Sequence, residues 1–237
     1  MVALVLVLQQ HPVIAVLGCG VPLLLVDLDN TLIDRAGAFS RWAREFAVAC
    51  VGSEADARWL VAADRDGFES RERLAAMIGE RFGLDGRAGA GLVAELRGGL
   101  VRQIIPDAAV TGALRDARAA GWVPFVVTNG TVEQQERKLR HADLDREVAG
   151  WVISEEAGLR KPDPEIFRFA AARAGQPLDG AWMIGDSAEV DISGARNAGL
   201  PGVWLHRGRP WPLAAFQPGY TADSFPGAVG IVLGAGG

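Results

Sequence analysis

Four aspartates stand at or just beyond the ends of two short apolar runs: Asp27, Asp29, Asp186 and Asp191. The runs, residues 23–28 and 181–184, have the nearly continuous apolar character of strands buried on both faces of a parallel sheet. Open α/β sheets bind their ligands beyond the carboxyl ends of the strands. We therefore expect the four carboxylates to converge on one edge of a sheet.

Crowded carboxylates cannot all stay ionised without a compensating cation. No His or Cys accompanies these four, and oxygen ligands alone favour a hard cation, so the pattern predicts bound Mg²⁺. Thr128 follows a further apolar run, and Lys161 stands just before a helix start at Asp163 and Pro164. A hydroxyl and an ammonium beside a metal suit a transferring phosphoryl group, and a carboxylate can accept phosphate covalently. Together these residues indicate phosphoryl transfer.

The elements that must position these residues follow from the alternation along the chain. Further apolar runs at residues 122–127, 151–153 and 202–205 alternate with helical patterns, and one more strand with a covering helix is predicted between residues 216 and 231. Helix N-caps are predicted at Thr111, Thr131 and Asp163. Strands alternating with helices predict an α/β fold with a doubly wound parallel sheet covered on both faces.

Residues 35–105 interrupt this alternation. Phe39, Trp42, Phe46 and Ala49 follow one another at helical spacing, two further apolar stripes do the same, and no strand pattern occurs. We predict an all-helical insertion after the first strand. The predicted domains are an N-terminal extension, a core in two segments and a helical cap: 1–20, 21–34 with 106–237, and 35–105.

Four short motifs occur in the order typical of the haloacid dehalogenase-like (HAD) hydrolase superfamily. Asp27, Asp29 and Thr31 match DxDxT, Thr128 matches the Thr/Ser motif, Lys161 matches the lysine motif, and Gly185, Asp186 and Asp191 match GDxxxxD. The chain is identified as a member of that superfamily, with the resemblance running from about residue 21 to 207. It implies a Rossmann-like core, and the position of the insertion resembles that of a C1 cap.

The resemblance implies a role for each aspartate of the first motif. Asp27 resembles the nucleophile and first Mg²⁺ ligand. Asp29 resembles the acid/base that protonates the leaving oxygen and then activates water, with its backbone carbonyl as a second metal ligand. Asn30 and Thr31 are expected to shape the turn rather than to react.

The resemblance also implies roles at the other strand ends. Thr128 and Lys161 would hold the phosphoryl oxygens, with a further hydrogen bond from the backbone amide of Asn129. Lys161 would also balance the charge of Asp27. Asp186 would bind Mg²⁺ directly, and Asp191 would do so directly or through water.

The expected function is Mg²⁺-dependent hydrolysis of a small phosphorylated metabolite through an aspartyl-phosphate intermediate. The motifs following Thr128 and residue 153 resemble pyrimidine 5′-nucleotidase-like members, and related members act on sugar phosphates or phosphoglycolate. A phosphomutase would keep the same core motifs, whereas Asp29 and Asp186 argue against a dehalogenase. A receiver-like domain or a non-catalytic phosphate-binding scaffold are alternatives from other classes.

Charge and composition restrict the partners. The chain has 24 Lys and Arg against 29 Asp and Glu, without the basic stripe that follows nucleic-acid phosphates, so no nucleic-acid partner is expected. The apolar runs within residues 1–20 are too short to span a bilayer and lack a basic start, which predicts a cytoplasmic protein without a membrane partner. The two cysteines indicate neither a disulfide framework nor a zinc site. Oligomeric state is left open.

Overall fold

A six-stranded parallel sheet forms the centre of the computed structural model, which describes residues 21–50, 52–84 and 89–235. The strand order is β3-β2-β1-β4-β5-β6, and every neighbouring pair is parallel. In chain order the strands are β1 (Leu23–Val26), β2 (Val123–Thr128), β3 (Trp151–Ile153), β4 (Trp182–Gly185), β5 (Gly202–Leu205) and β6 (Tyr220–Ala222). The order reverses between β1 and β4, the kind of position at which such sheets bind ligands.

Both faces of the sheet are buried, which explains the continuous apolar strands. Leu24 and Val26 of β1 join one apolar cluster, whereas Leu23 and Leu25 join another on the opposite face. The helices outside the insertion are α5 (Ala108–Ala119), α6 (Val132–His141), α7 (Ser154–Ala157), α8 (Pro164–Ala174), α9 (Ser193–Asn197) and α10 (Phe225–Ala235). Helices α5, α6 and α10 contribute to the first cluster, and α8 and α9 to the second. The predicted doubly wound α/β fold is confirmed.

Two of the three predicted helix caps are present. Thr131 accepts a hydrogen bond from the Gln134 backbone amide at the start of α6. Asp163 accepts one from the Glu165 backbone amide at the start of α8. The prediction for Thr111 was wrong, because Asp107 caps α5 and accepts from the Ala109 amide at 2.8 Å. Thr111 lies within that helix, where its hydroxyl donates back to the carbonyl of Ala108.

The insertion between β1 and β2 is helical throughout its described part. Its helices are α1 (Arg35–Ala49), α2 (Glu54–Asp64), α3 (Arg71–Phe82) and α4 (Gly89–Arg102). Phe39, Trp42 and Phe46 stack along α1, and Phe82 of α3 meets Phe46 edge to face. This aromatic stripe is therefore the core of the insertion, while the exact domain boundaries stay a prediction.

A buried ion pair joins the start of α1 to the end of α2. Arg35, the first residue of α1, holds both oxygens of Asp64 at the end of α2, at 2.5 and 2.7 Å. Arg71 donates to the same carboxylate at 2.8 Å. Burial raises the pKa of Asp64, but the two guanidinium groups outweigh it, and the pKa is lowered overall. The pair orients the left-handed turn that follows, Arg65 to Gly67, which reaches the edge of the sheet.

Replacing Asp64 by Asn should lower the free energy of unfolding by about 3–5 kcal/mol, because the charge of Arg35 would remain buried without its partner. Since the folded-state pKa lies below the usual 3.8, this stabilisation is complete above that value and is lost as pH falls through the folded pKa. Urea melts at neutral and acidic pH would measure both effects. The exposed Asp116→Asn is the control, and an equal loss in both variants would contradict the role of the pair.

Two further expectations concern the N-terminal extension and membrane-spanning helices. The extension predicted for residues 1–20 lies outside the described residues. Within the described ranges, every helix is too short or too polar to cross a bilayer.

Candidate active site

The parallel strands bring the predicted polar residues to one edge of the sheet. Asp27 directly follows β1, and its amide donates to the carbonyl of Ile184 at 3.0 Å, which ties it to β4. Thr128 is the last residue of β2, and Asp186 directly follows β4. All three side chains are buried. The sheet therefore gathers residues that are far apart in the chain.

Three carboxylates form a compact oxygen cluster. Asp27, Asp186 and Asp191 each offer an oxygen, and these oxygens lie within 4.8 Å of one another. Asp191 belongs to a wide helical turn, Ala188–Ile192, and accepts from the amide of Ser187 at 3.0 Å. Three buried oxygen donors without nitrogen or sulfur fit a hard divalent cation. The cluster can therefore hold a metal ion.

Burial, together with repulsion within the cluster, raises the pKa of two of its carboxylates. Burial raises the pKa of Asp27 well above its usual range; Lys161 lowers it, and the charges of Asp191 and Asp186 raise it further. Burial and the charge of Asp191 raise the pKa of Asp186 to about 6, although Arg209 and Arg207 act in the opposite direction. These shifts describe carboxylates that lack sufficient positive charge.

Lys161 supplies part of that charge. Its ammonium lies 2.6 Å from Asp27 Oδ1 and 2.7 Å from Asp191 Oδ1, and it donates to the carbonyl of Val127 at 2.7 Å. Burial lowers the pKa of Lys161, but the two carboxylates outweigh it and the pKa is raised. The side chain of Asn129 fixes the lysine backbone, since its amide exchanges two 3.0 Å hydrogen bonds with the N–H and carbonyl of Lys161.

The carboxylate of Asp29 faces a different set of partners. Both of its oxygens lie 2.7 Å from the ammonium of Lys138, and Gln135 donates to Oδ2 at 3.0 Å. Burial raises the pKa of Asp29, but Lys138 and Arg35 outweigh it and the pKa is lowered. Gln135 also donates to Thr128 Oγ1 at 2.6 Å. Asp29 is therefore linked to the end of β2 rather than to the carboxylate cluster; only its backbone carbonyl was predicted to bind metal.

Neither Gln135 nor Lys138 was predicted as a site residue. Both lie on α6, three residues apart, and both are buried. Their spacing places them on one face of the helix. The available signal was polar residues on the face that also carries the buried Leu139, but an isolated helix pattern does not distinguish a buried polar face from a solvated one.

Two arginines connect the carboxylate cluster to the helical insertion. Arg207 lies 3.2 Å from both Asp186 and Asp66, and Arg209 lies 2.9 Å from Asp186. Asn30 donates to Asp66 at 3.0 Å from a left-handed backbone conformation, in agreement with its predicted role in the turn. These arginines were not predicted. The contacts join the turn after α2 to the edge of the sheet.

A cavity of about 630 Å³ opens above this edge. Its floor includes Asp27, Thr128 and Lys161, and the insertion contributes Phe68 and Arg97, among others. This volume lies in the range of small-molecule sites, roughly 300–1,000 Å³. The cavity between the strand ends and the inserted helices is therefore large enough for a small ligand.

Fold and site together define the class of protein. A family model described as haloacid dehalogenase-like hydrolase matches residues 21–199, more than half of the 237-residue chain. The chain belongs to the haloacid dehalogenase-like hydrolase family, as its motifs predicted.

Individual relatives match over shorter stretches. A phosphoserine phosphatase of Thermus thermophilus is 40% identical over 95 residues, covering 40% of this chain and 38% of that protein. The pyrimidine 5′-nucleotidase YjjG of Escherichia coli is 40% identical over 103 residues, covering 42% and 44%. The matches thus span less than half the length of these curated relatives.

Solved structures share the whole fold. The HAD-hydrolase YfnB from Bacillus subtilis, described as bound to magnesium, aligns with a TM-score of 0.71 at 22% identity. The alignment covers 89% of this chain and 98% of that one. At this identity the likeness establishes the common fold.

A divalent cation should stabilise the protein by relieving repulsion in the carboxylate cluster. With Mg²⁺ as the probe at 100 times its dissociation constant, the expected gain is about 2.7 kcal/mol. In the metal-free protein, the raised pKa of Asp186 costs stability as pH rises from 3.8 through about 6. The gain from Mg²⁺ should therefore be larger above pH 6 than below it, where protons compete with the cation.

Thermal melts with Mg²⁺ or with K⁺ at matched ionic strength measure this gain. Asp186→Asn should abolish it, whereas the exposed Asp116→Asn should retain it. A gain that is equal with both salts, or that survives in Asp186→Asn, would exclude a divalent site at this cluster.

Proposed function

We propose that the protein is a Mg²⁺-dependent phosphomonoester hydrolase that acts through an aspartyl phosphate on Asp27. The observation that carries the proposal is the convergence of Asp27 with Lys161, two further carboxylates and Thr128 at the floor of one cavity. The named phosphatase and nucleotidase relatives support the same reaction class.

In the first half of the proposed reaction, a carboxylate oxygen of Asp27 attacks the phosphorus and the bond to the leaving oxygen breaks. Asp27, Asp186 and Asp191 would hold Mg²⁺, together with the backbone carbonyl of Asp29. When bound, Mg²⁺ would supply positive charge that reduces the repulsion between the carboxylates and the phosphoryl group. Thr128 would donate its hydroxyl hydrogen to a phosphoryl oxygen, beside the backbone amide of Asn129.

Lys161 contributes in a way that its contacts specify. Its ammonium donates to Asp27 Oδ1 and to the Val127 carbonyl and is ion-paired with Asp191, so a direct bond to a phosphoryl oxygen would compete with these contacts. Its raised pKa keeps the ammonium charged at neutral pH. Lys161 would therefore balance the charge of Asp27 before attack and the charge of the phosphoryl group afterwards.

Asp29 would act as the acid and base. Its lowered pKa favours the carboxylate, the form that accepts a proton from the water attacking the aspartyl phosphate. In the first half, Asp29 would take up a proton from solvent or from a singly protonated phosphate ester and pass it to the leaving oxygen, since its lowered pKa makes the carboxylate the resting form. One proton thus passes through Asp29 to the leaving alcohol, and the proton taken from water is released in turn, so the enzyme ends the cycle unchanged.

The cavity supports a small substrate. Its volume of about 630 Å³ and its roof of inserted helices fit a phosphorylated metabolite such as a nucleotide, a sugar phosphate, phosphoglycolate or phosphoserine. Arg97 and Phe68 line the insertion side, where a cation and an aromatic ring would contact the part of the substrate beyond the phosphate. The cavity would therefore admit a small phosphorylated molecule rather than a phosphorylated protein.

Phosphate release from a panel of these metabolites, with and without Mg²⁺, tests the proposal. Wild type should release phosphate only with Mg²⁺, and Asp27→Asn should lower kcat by roughly 10³-fold or more because the nucleophile is lost. The exposed Asp116→Asn controls for the loss of one acidic charge.

Three other outcomes would contradict the proposal. Phosphate release that does not depend on Mg²⁺ or on Asp27 would exclude this mechanism. Chloride release from 2-chloropropionate without phosphate release would instead favour the dehalogenase alternative. Isomerised phosphate esters without free phosphate would favour a mutase.

A further inference from the structure

The amide of Gln135 connects two residues of the proposed reaction. Its Nε2 donates to Thr128 Oγ1 at 2.6 Å and to Asp29 Oδ2 at 3.0 Å, and its Oε1 accepts from Lys138 at 2.8 Å. The side chain is buried to 1% exposure. Both hydrogens of Nε2 are used, so the amide plane and the positions of its nitrogen and oxygen are fixed in this network.

Lys138 and Asp29 determine which end of the amide is which. An ammonium only donates hydrogen bonds and a carboxylate only accepts them. The Gln135 atom that faces Lys138 must therefore be the oxygen, and the atom that faces Asp29 must be the nitrogen. A flipped amide would place two donors together at Lys138 and two acceptors together at Asp29.

The orientation of the amide fixes the direction of the hydrogen bond at Thr128. Because Gln135 Nε2 has no lone pair to accept with, Thr128 Oγ1 must be the acceptor in this 2.6 Å contact. The single hydroxyl hydrogen of Thr128 is then directed away from Gln135. In the described part of the chain, that hydrogen has no acceptor, and Thr128 lines the cavity.

We propose that Gln135 is a positioning residue that, held by Lys138, directs the Thr128 hydroxyl hydrogen toward the phosphoryl oxygen and orients the Asp29 carboxylate. This inference rests on the proposed phosphatase function. It also explains why a lysine is buried here. Asp29 compensates the charge of Lys138, and because Lys138 can only donate, it sets the direction of the hydrogen bonds from Gln135 to Thr128 and Asp29. Gln135 and Lys138 themselves need not touch the substrate.

Two substitutions of similar size separate this role from packing. Gln135→Glu keeps the shape and can pair with Lys138, but its oxygen would accept the Thr128 hydrogen and withdraw it from the phosphate. Gln135→Met removes the donor and leaves the hydroxyl free to rotate. We expect Gln135→Glu to reduce kcat/KM by about 10- to 100-fold, the value of one hydrogen bond to a charged group, and Gln135→Met to reduce it by less. A packing role predicts the opposite order, because glutamate is the closer match in shape.

A double-mutant comparison tests whether the effect passes through Thr128. On a Thr128→Val background no hydroxyl hydrogen remains, so the difference between Gln135→Glu and Gln135→Met should close. An undiminished difference would mean that the introduced carboxylate acts by its charge alone, and the proposal would be overturned. Lys138→Arg should recover activity relative to Lys138→Met, since only the former retains a donor to Gln135 Oε1.

Binding of inorganic phosphate, measured by calorimetry with Mg²⁺ present, gives a readout that does not require turnover. Gln135→Glu should weaken phosphate binding more than Gln135→Met, while Gln176→Glu, outside the cavity lining, controls for the added charge. Thermal melts identify any variant that does not fold. If a Gln135 variant does not fold, the comparison of Lys138→Arg with Lys138→Met tests whether a donor to Gln135 Oε1 is needed for activity. Failure of wild type to hydrolyse any phosphomonoester would refute the proposed function, whereas an active wild type with Gln135→Met less active than Gln135→Glu would refute only this inference.

Discussion

Carboxylate repulsion at the edge of the sheet is the constraint on which the rest of the site depends. Asp27, Asp186 and Asp191 are buried within a few ångströms of one another, and burial raises the pKa of the first two. Such a cluster stays ionised at neutral pH only if positive charge lies close to it. Lys161 supplies one positive charge beside Asp27, and Arg207 and Arg209, in the loop after β5, supply two more beside Asp186. The carboxylate oxygens could also hold a divalent metal ion.

The same charges join the core to its insertion. Arg207 contacts Asp186 in the core and Asp66 in the turn after α2, so the residue that neutralises the cluster also holds the wall of the cavity. The ion pair of Arg35 and Asp64 orients that turn from within the insertion. Electrostatics at the strand ends and the shape of the cavity are therefore not independent features of this fold.

Much of the fold could be predicted because strands buried on both faces leave an unmistakable apolar run. The runs predicted five of the six strands, and residues 151–153 and 202–205 agree with β3 and β5 residue for residue. The sixth, β6, was predicted only as one further strand between residues 216 and 231, because it is short and mostly exposed. The prediction at Thr111 failed because several polar residues near a helix start can cap it, and only the backbone path shows that Asp107 does so. The polar face of α6 was missed because burial of Gln135 and Lys138 depends on what packs over them.

The sequence by itself determined the α/β class, the position of the helical insertion and the family, because these follow from apolar periodicity and from short motifs of fixed spacing. Only the tertiary structure decided which polar groups meet. Asp29 and Lys138 are 109 residues apart, and Asp27 and Lys161 are 134 apart. Their contacts arise where parallel strands end side by side, and hydrogen-bond direction, charge compensation and cavity shape exist only once those ends are brought together.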